Sequence, residues 1–341
     1  MTSSSSPVVV ITGGTAGVGR ATARRFAASG ARIAVLARGQ DGLDATAREL
    51  PGLGAPSALG IRCDVADADA VFTAAAVIEQ QLGPIDIWIN NAMTTVFGPF
   101  RSLTHEQYER VTRVTYLGCV WGTRAALDRM IPRNRGTIIQ VGSALAYRSI
   151  PLQSAYCGAK HAIVGFTDSI RSELLHDGID VALTCVHLPA VNTPQFSWCL
   201  NKLPYEPEPV PPIFQPEIIA DAIFHAAHHP RREIYLGWPT VKAVFGQKLT
   251  PGYADRYLAR HGFSAQTTDE PRDPTRPSNL FAPVPGDHGA HGRFDAQARD
   301  HDLIAPATAR LGAAGVTAIA GAVGAGLVVA IAGAMRVLRR R

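Results

Sequence analysis

The 341-residue chain lacks the signatures of several classes of protein. Its five cysteines include no C-x-x-C pair and no secretory signal precedes them, so we expect reduced thiols in a cytoplasmic protein. No basic stripe with interleaved aromatic residues is present, so nucleic acid is not an expected partner. The absence of a G-x-S-x-G elbow argues against a hydrolase. The histidines at 225–229 and 288–291 are interpreted as exposed polar residues, so no metal is predicted.

The N-terminal residues have the pattern of a dinucleotide-binding unit. The apolar run at 8–11 is typical of a parallel strand buried on both faces, and a glycine-rich segment at 12–19 follows it. A helix-compatible stretch at 20–29 and a second apolar run at 32–37 complete a β-turn-α-β unit. Glycines let the backbone turn tightly and approach a pyrophosphate, which the amides at the helix N-terminus bind. A glycine-rich turn without a ligand is the alternative.

A second motif carries proton-transfer chemistry. Tyr156 and Lys160 are four residues apart in a helical pattern, so they share one face of the helix, and Ser143 precedes Tyr156 by thirteen residues. A free tyrosine has a pKa of about 10, which is too high for a base near neutrality. The adjacent Lys160 ammonium is predicted to lower the pKa of Tyr156.

The order of elements predicts an α/β protein. Strand candidates are residues 8–12, 32–37, 58–63, 85–89, 136–141, 180–186 and 233–236, and helix candidates are 18–29, 40–50, 67–82, 105–131, 155–177 and 216–229. Such alternation predicts a Rossmann-type, doubly wound parallel sheet covered by helices on both faces. Ligands bind beyond the carboxyl ends of such strands, where Gly13, Asn90, Ser143 and Pro189 fall.

Together these motifs make residues 7–245 resemble the short-chain dehydrogenase/reductase family. The residues that match its cofactor site, and are predicted to bind the cofactor, are Thr12, Gly13, Thr15, Gly17, Val18 and Gly19 in the loop, Asp64 and Val65 after the third strand, Asn91 and Ala92 in an N-N-A turn, and Thr193. Ser143, Tyr156 and Lys160 match its catalytic residues, and Tyr156 and Lys160 are also predicted to bind the cofactor. The resemblance implies that Tyr156 exchanges a proton with the substrate oxygen, that Ser143 orients this oxygen and that Lys160 binds the nicotinamide ribose.

The chain departs from the family pattern at three positions. Thr115 stands where the family usually has an asparagine of a proton relay, and we expect its hydroxyl to take that catalytic role or the relay to differ. Met93 replaces the glycine of the N-N-A-G turn, and Ala190 replaces the glycine after Pro189. None of these changes removes the proton donor or the cofactor loop.

The residue after the second strand predicts the type of cofactor. Members that prefer NAD have a carboxylate there, whereas this chain has Ala37 followed by Arg38. A guanidinium binds a phosphate through paired hydrogen bonds, so Arg38 is predicted to bind the 2′-phosphate and the cofactor to be NADP(H). A solvated surface arginine is the alternative.

The segment at 192–216 corresponds to the family's substrate lid. Its aromatic residues suggest a lipophilic substrate, or they pack the lid against the body of the protein. The predicted function is therefore an NADP(H)-dependent oxidoreductase that interconverts a ketone or aldehyde and an alcohol. An NADP(H)-binding regulatory or scaffold protein with little or no turnover is the competing hypothesis.

Three parts are expected along the chain: a catalytic domain at 1–245, an extension at 246–310 and an Ala/Gly-rich hydrophobic helix at 311–341. Residues 311–335 carry no charge and are long enough to cross a bilayer, so membrane association is favoured over a helix buried between subunits. The helices at 105–131 and 155–177 resemble those of the family's dimer contact, which implies a homodimer or homotetramer.

Overall fold

The computed structural model describes residues 6–302 and contains a seven-stranded parallel sheet. Its strands are β1 (Val8–Thr12), β2 (Arg32–Ala37), β3 (Ala58–Arg62), β4 (Ile85–Asn90), β5 (Gly136–Val141), β6 (Val181–His187) and β7 (Glu233–Tyr235). The order across the sheet is β7-β6-β5-β4-β1-β2-β3, so the direction of winding reverses between β1 and β4. The predicted doubly wound fold is confirmed, and a ligand crevice is expected at this reversal.

Helices cover both faces of the sheet. They are α1 (Gly17–Ala27), α2 (Gln40–Gly52), α3 (Ala68–Leu82), α4 (His105–Thr112), α5 (Gly118–Met130), α6 (Ser154–His176) and α7 (Pro216–His228). Every residue of β1 is buried: Val9 and Ile11 belong to the apolar cluster under α1, α2 and α7, and Val8 and Val10 to the cluster under α3 and α5. This two-sided burial explains why β1 is a continuous apolar run.

The helix predicted at 105–131 is interrupted. A π-helical turn, Arg113–Leu117, separates α4 from α5. Within it the Thr115 hydroxyl donates to the carbonyl of Thr94 (3.0 Å) and accepts from the amide of Thr94 (3.1 Å). The turn therefore ties the helix to the loop after β4, and π turns of this kind are frequent at functional sites.

The extension is folded against the catalytic part. Helices α8 (Gly237–Leu249) and α9 (Pro251–His261) follow β7, so the predicted division at residue 245 falls inside α8. The lid is residues 192–216. Its short strand Tyr205–Pro207 pairs with the strand Thr267–Pro271 of the extension. In the part described, no helix is long and apolar enough to span a membrane. The predicted hydrophobic segment at 311–335 lies outside the described residues.

Candidate active site

A cavity of about 470 Å³ opens at the carboxyl ends of the strands. The predicted site residues that line it are Gly13, Thr15, Gly17, Val18, Arg38, Asp64, Val65, Asn91, Ala92, Ser143, Tyr156, Lys160 and Thr193. Thr12, Gly19 and Thr115 lie behind its wall. The structure thus brings the cofactor motif and the proton-transfer motif to one cavity, which is the arrangement that hydride transfer requires.

The glycine loop has the geometry of a phosphate cradle. Gly13 (φ +65°) and Gly17 (φ +55°) adopt left-handed conformations, which favour glycine. A Cβ atom on Gly13 would lie 2.9 Å from Cα of Ala92, so a side chain there would have to displace the turn after β4. Gly17 and Val18, the first residues of α1, line the cavity beside this loop, so this helix end suits the pyrophosphate of a dinucleotide.

Thr12, Gly19 and Asn91 hold the loop in place. The Thr12 hydroxyl accepts from the amides of Asn91 (3.0 Å) and Ala92 (3.1 Å), and the Asn91 side chain donates to the carbonyls of Thr12 (3.1 Å) and Gly13 (3.0 Å). A Cβ atom on Gly19 would overlap the carbonyl oxygen of Gly13. Thr12 and Gly19, predicted to bind the cofactor, therefore act on the shape of the loop from behind it.

At the end of β2, Arg38 lies close to an ion pair. Arg110 and Asp64 form this pair at 2.6 Å, which neutralises the carboxylate of Asp64. Arg38 donates to the carbonyls of Asn279 and Leu280 (3.4 Å for the latter). Burial, and secondarily the charge of Arg110, lowers the pKa of Arg38. Because Asp64 is paired with Arg110, the Arg38 guanidinium gives this part of the cavity a net positive charge that suits an anion.

The three predicted catalytic residues are assembled by two elements. Ser143 caps a 3₁₀ turn (Ala144–Ala146) after β5, and its hydroxyl accepts from the amide of Leu145 at 3.1 Å. Tyr156 and Lys160 lie in the first turns of α6, and Nζ of Lys160 is 5.6 Å from the centroid of the Tyr156 ring. The Lys160 ammonium donates to the carbonyl of Val141 at 2.6 Å, which draws it towards the end of β5.

The predicted lowering of the Tyr156 pKa by Lys160 does not hold in this structure. Burial raises the pKa of Tyr156 above its usual value, and a hydrogen bond from Ser143 opposes this only in part. Burial also lowers the pKa of Lys160 to about 8, so this side chain loses its proton, and with it the positive charge, at a lower pH than a free lysine. The sequence shows that the two residues share a helix face, but it does not show that Lys160 is buried and Tyr156 partly buried there.

Five wall residues come from the extension, and sequence reasoning missed them. They are Asn279, Pro283, Val284, Gly286 and His288. Their region was predicted only as an extension after the catalytic domain, because a segment rich in proline and charge does not indicate where it packs. No metal-ligand cluster occurs among the residues that the structure describes, His288 included.

A buried polar cluster supports the turn that carries Ser143. The carboxylate of Glu233, with 10% of its side chain exposed, accepts hydrogen bonds from the hydroxyls of Tyr147 and Tyr235 (2.5 Å for Tyr235). Nε2 of His187 lies 3.5 Å away. Burial by itself would raise the pKa of Glu233, but the nearby His187 and the hydrogen bonds from the two tyrosines outweigh this and lower it to about 2.

This lowered pKa predicts a loss of stability in acid. At pH values above the pKa of this carboxyl in the unfolded chain, the lowered pKa in the folded state stabilises the protein. This stabilisation is lost as the pH falls towards 2. The stability difference between wild type and Glu233→Gln should therefore shrink by about 2 kcal/mol from pH 6 to pH 3. Urea denaturation at both pH values measures it, with the exposed Glu109→Gln as control. A difference that does not vary with pH would contradict the assignment.

Comparison with known proteins agrees with this geometry. A family profile described as short chain dehydrogenase matches residues 7–198. The chain is 33% identical over 276 residues to the uncharacterized oxidoreductase YxnA of Bacillus subtilis, across 80% of this chain and 77% of that protein. It is 32% identical over 230 residues to the 2-(R)-hydroxypropyl-CoM dehydrogenase of Xanthobacter autotrophicus, across 65% and 91% of the two chains.

Solved structures have the same architecture. An alcohol dehydrogenase from the archaeon Thermococcus sibiricus, complexed with 5-hydroxy-NADP, is similar with a TM-score of 0.58 and 26% identity, over 67% of this chain and 95% of that one. A short-chain type dehydrogenase/reductase from Mycobacterium marinum has a TM-score of 0.57 and 26% identity, over 65% and 88%. The chain therefore belongs to the short-chain dehydrogenase family, whose fold binds NAD(P), and it is an oxidoreductase of the kind that acts on alcohol and carbonyl groups.

Proposed function

We propose that this protein is an NADP(H)-dependent oxidoreductase that interconverts a lipophilic ketone or aldehyde and the corresponding alcohol. The observation that carries the proposal is that Ser143, Tyr156 and Lys160 line the same cavity as the glycine loop and Arg38. A regulatory protein that only binds the nucleotide would not need the three proton-transfer groups on that wall. Turnover is therefore the better-supported function.

The side chains divide the chemistry among them. A bound nicotinamide supplies or accepts the hydride. Because burial raises the pKa of Tyr156, the phenol keeps its proton at neutral pH and suits the role of proton donor to a carbonyl oxygen. Ser143 hydrogen-bonds the Tyr156 phenol and is placed to orient the same oxygen. Lys160 is assigned the role of binding the hydroxyls of the nicotinamide ribose. Thr115 is assigned an indirect role in the proton relay, through its hydrogen bond with Thr94.

The preference for NADP(H) rests on Arg38. Arg38 lines the cavity at the end of β2, and of the two acidic residues that line the cavity, Asp64 and Glu208, Asp64 is paired with Arg110. The similar archaeal alcohol dehydrogenase was crystallised with an NADP derivative, which is consistent with this preference. A carboxylate at this position would instead repel a 2′-phosphate.

Replacing Arg38 by alanine should weaken NADPH binding selectively. Loss of charge-assisted hydrogen bonds to a phosphate costs about 1.5–3 kcal/mol, which corresponds to a dissociation constant about 10- to 100-fold higher. NADH affinity should change little, because NADH has no 2′-phosphate. Titration calorimetry at one ionic strength measures both constants, with the exposed Arg62→Ala as control. An equal loss for NADPH and NADH would contradict the assignment.

The apolar part of the cavity suits a lipophilic substrate. Leu145, Ile150, Phe196, Trp198 and Val210 line it near the catalytic residues. The lid thus contributes side chains to the cavity as well as packing against the body. A screen of lipid extracts and carbonyl compounds, followed by NADPH absorbance with Tyr156→Phe as control, tests this. Turnover confined to small polar carbonyls would contradict the substrate class.

Membrane association and self-association remain proposals. The 11-residue α9 has no buried residue, and it exposes Tyr253 and Tyr257 beside Arg256 and Arg260, a combination suited to a membrane surface. Full-length protein that stays wholly in the supernatant after detergent-free fractionation would contradict membrane association. Helices α4 to α6 are assigned to a homodimer or homotetramer, and a monomeric mass in light scattering would contradict that.

A further inference from the structure

Residues 279–290, which we call the strap, cross the cofactor side of the cavity. They run from a position beside Arg38 to the glycine loop, and five of them form cavity wall. Asn279 begins the strap with an amide that donates to the carbonyl of Trp198 in the lid (2.9 Å). A dinucleotide that reaches from Arg38 to the catalytic residues must therefore lie beneath this segment.

Both ends of the strap are firmly packed. Leu280 is only 1% exposed, and its carbonyl accepts from Nε of Arg110 (3.0 Å) and from Arg38. At the other end Ala290 is 2% exposed and packs against Ala21 of α1. Local opening is least costly where few apolar contacts are made, so these ends are not the parts that move.

The middle of the strap is held much more weakly. Most of its residues are exposed, and few polar contacts fasten it. The amide of Gly286 donates to the carboxylate of Asp41 (2.7 Å), and Asp287 forms a 3.2 Å ion pair with Arg20. Gly286 (φ +98°) and Gly289 (φ +61°) supply backbone freedom on either side of Asp287. The strap is thus a segment fixed at its ends and free to bow outward between them.

The strap also contacts the group that would hold phosphate. The amide of Gly17, the first residue of α1, donates to the carbonyl of Gly289 at 3.0 Å. A pyrophosphate drawn to this helix end competes with that carbonyl for the same amide. The rings of His288 and Trp198 lie 4.5 Å apart, so the strap also meets the lid. Binding of the cofactor and the position of the strap are therefore coupled.

We propose that the strap is the outer wall of the dinucleotide site and that the cofactor enters and leaves only when the middle of the strap lifts. This inference rests on the proposed use of a nicotinamide dinucleotide, but not on the preference for NADP(H). The strap retains the nucleotide between turnovers, and its opening limits cofactor exchange. The residues responsible are distant in the chain from the site that they cover. Leu280 contacts Arg38 across 242 residues, and Asp287 contacts Arg20 across 267 residues.

A reversible disulfide tests the proposal. A Cβ atom on Gly39 would lie 3.3 Å from Cβ of Pro283, close to the separation of about 3.8 Å typical of a disulfide. Gly39 has φ −88°, which accepts any side chain, and the five native cysteines are buried. The full-length double variant Gly39→Cys/Pro283→Cys is prepared free of nucleotide and oxidised. Stopped-flow fluorescence then follows the binding of NADPH and, separately, of NADH.

We expect oxidation to slow nucleotide association at least about tenfold and reduction by dithiothreitol to restore it. Protein loaded before oxidation should keep its nucleotide through gel filtration and release it on reduction. The single variants Gly39→Cys and Pro283→Cys, treated identically, should not respond. Equal association rates in the oxidised and reduced double variant, with disulfide formation verified by thiol titration, overturn the proposal.

A milder change guards against misfolding of the double variant. Asp287→Asn removes the ion pair with Arg20 and should speed NADPH dissociation by about threefold, whereas the exposed Asp300→Asn should not. If neither Asp287→Asn nor the disulfide alters exchange, the strap does not gate the site. Failure of wild-type protein to bind either nucleotide would overturn the proposed function as well, so the two failures are distinguishable.

Discussion

Replacing Tyr156 by phenylalanine is expected to lower kcat/KM for a carbonyl substrate by about a thousandfold, within the range typical of general acid catalysis. The ring remains, so the packing of α6 against the cavity is kept, but the proton donor beside Ser143 is lost. Steady-state kinetics on a substrate found in the screen measures the effect. NADPH affinity, measured by fluorescence titration, should stay within about twofold, because the lost hydroxyl acts on the substrate.

The matched control for this variant is Tyr253→Phe. Tyr253 is 70% exposed on α9 and does not line the cavity, so its loss of a hydroxyl should leave kcat/KM unchanged. Retention of wild-type turnover by Tyr156→Phe would remove Tyr156 as the proton donor and with it the proposed mechanism. A parallel loss in both variants would point to a general defect instead.

The second large effect is expected at Gly19. In Gly19→Ala the new methyl group would overlap the carbonyl oxygen of Gly13, so the phosphate loop has to shift. Overpacking of this kind costs about 1–3 kcal/mol, and because the displaced group belongs to the loop itself we expect NADPH to bind about 100-fold more weakly. Fluorescence titration measures the affinity, and thermal unfolding reports the accompanying loss of stability.

Gly165→Ala is the matched control for this substitution. Gly165 also lies in a helix, α6, but a Cβ atom there would meet nothing within 4 Å. Alanine should therefore leave NADPH affinity unchanged and stabilise the fold by about 0.5–1 kcal/mol through its better helix propensity. Wild-type NADPH affinity in Gly19→Ala would show that the loop tolerates a side chain and that its packing does not shape the site.

Much of the fold could be read from local patterns. The strand candidates at 8–12 and 32–37 coincide with β1 and β2, because a strand buried on both faces is predominantly apolar. The proximity of two candidate catalytic residues could be predicted for a similar reason. Tyr156 and Lys160 occur four positions apart on one helix, so their proximity follows from helix geometry alone.

Other features could not be read in this way. The interruption of the helix at Thr115 depends on a contact with Thr94, 21 residues away, and helix propensity carries no trace of it. The pKa of Tyr156 depends on how completely the surrounding elements exclude water, and this reversed the predicted direction of its shift.

The sequence by itself determined the fold family, and it predicted the cofactor loop and the three candidate proton-transfer residues, because each depends on residues close together in the chain or on strand ends. Only the tertiary structure decided that the strap lines the candidate cofactor cavity, where its carbonyls accept hydrogen bonds from the amide of Gly17 and the side chain of Arg38. The physical reason is that an irregular segment is placed by distant hydrogen bonds and by a few buried anchors such as Leu280, and neither produces a periodic pattern.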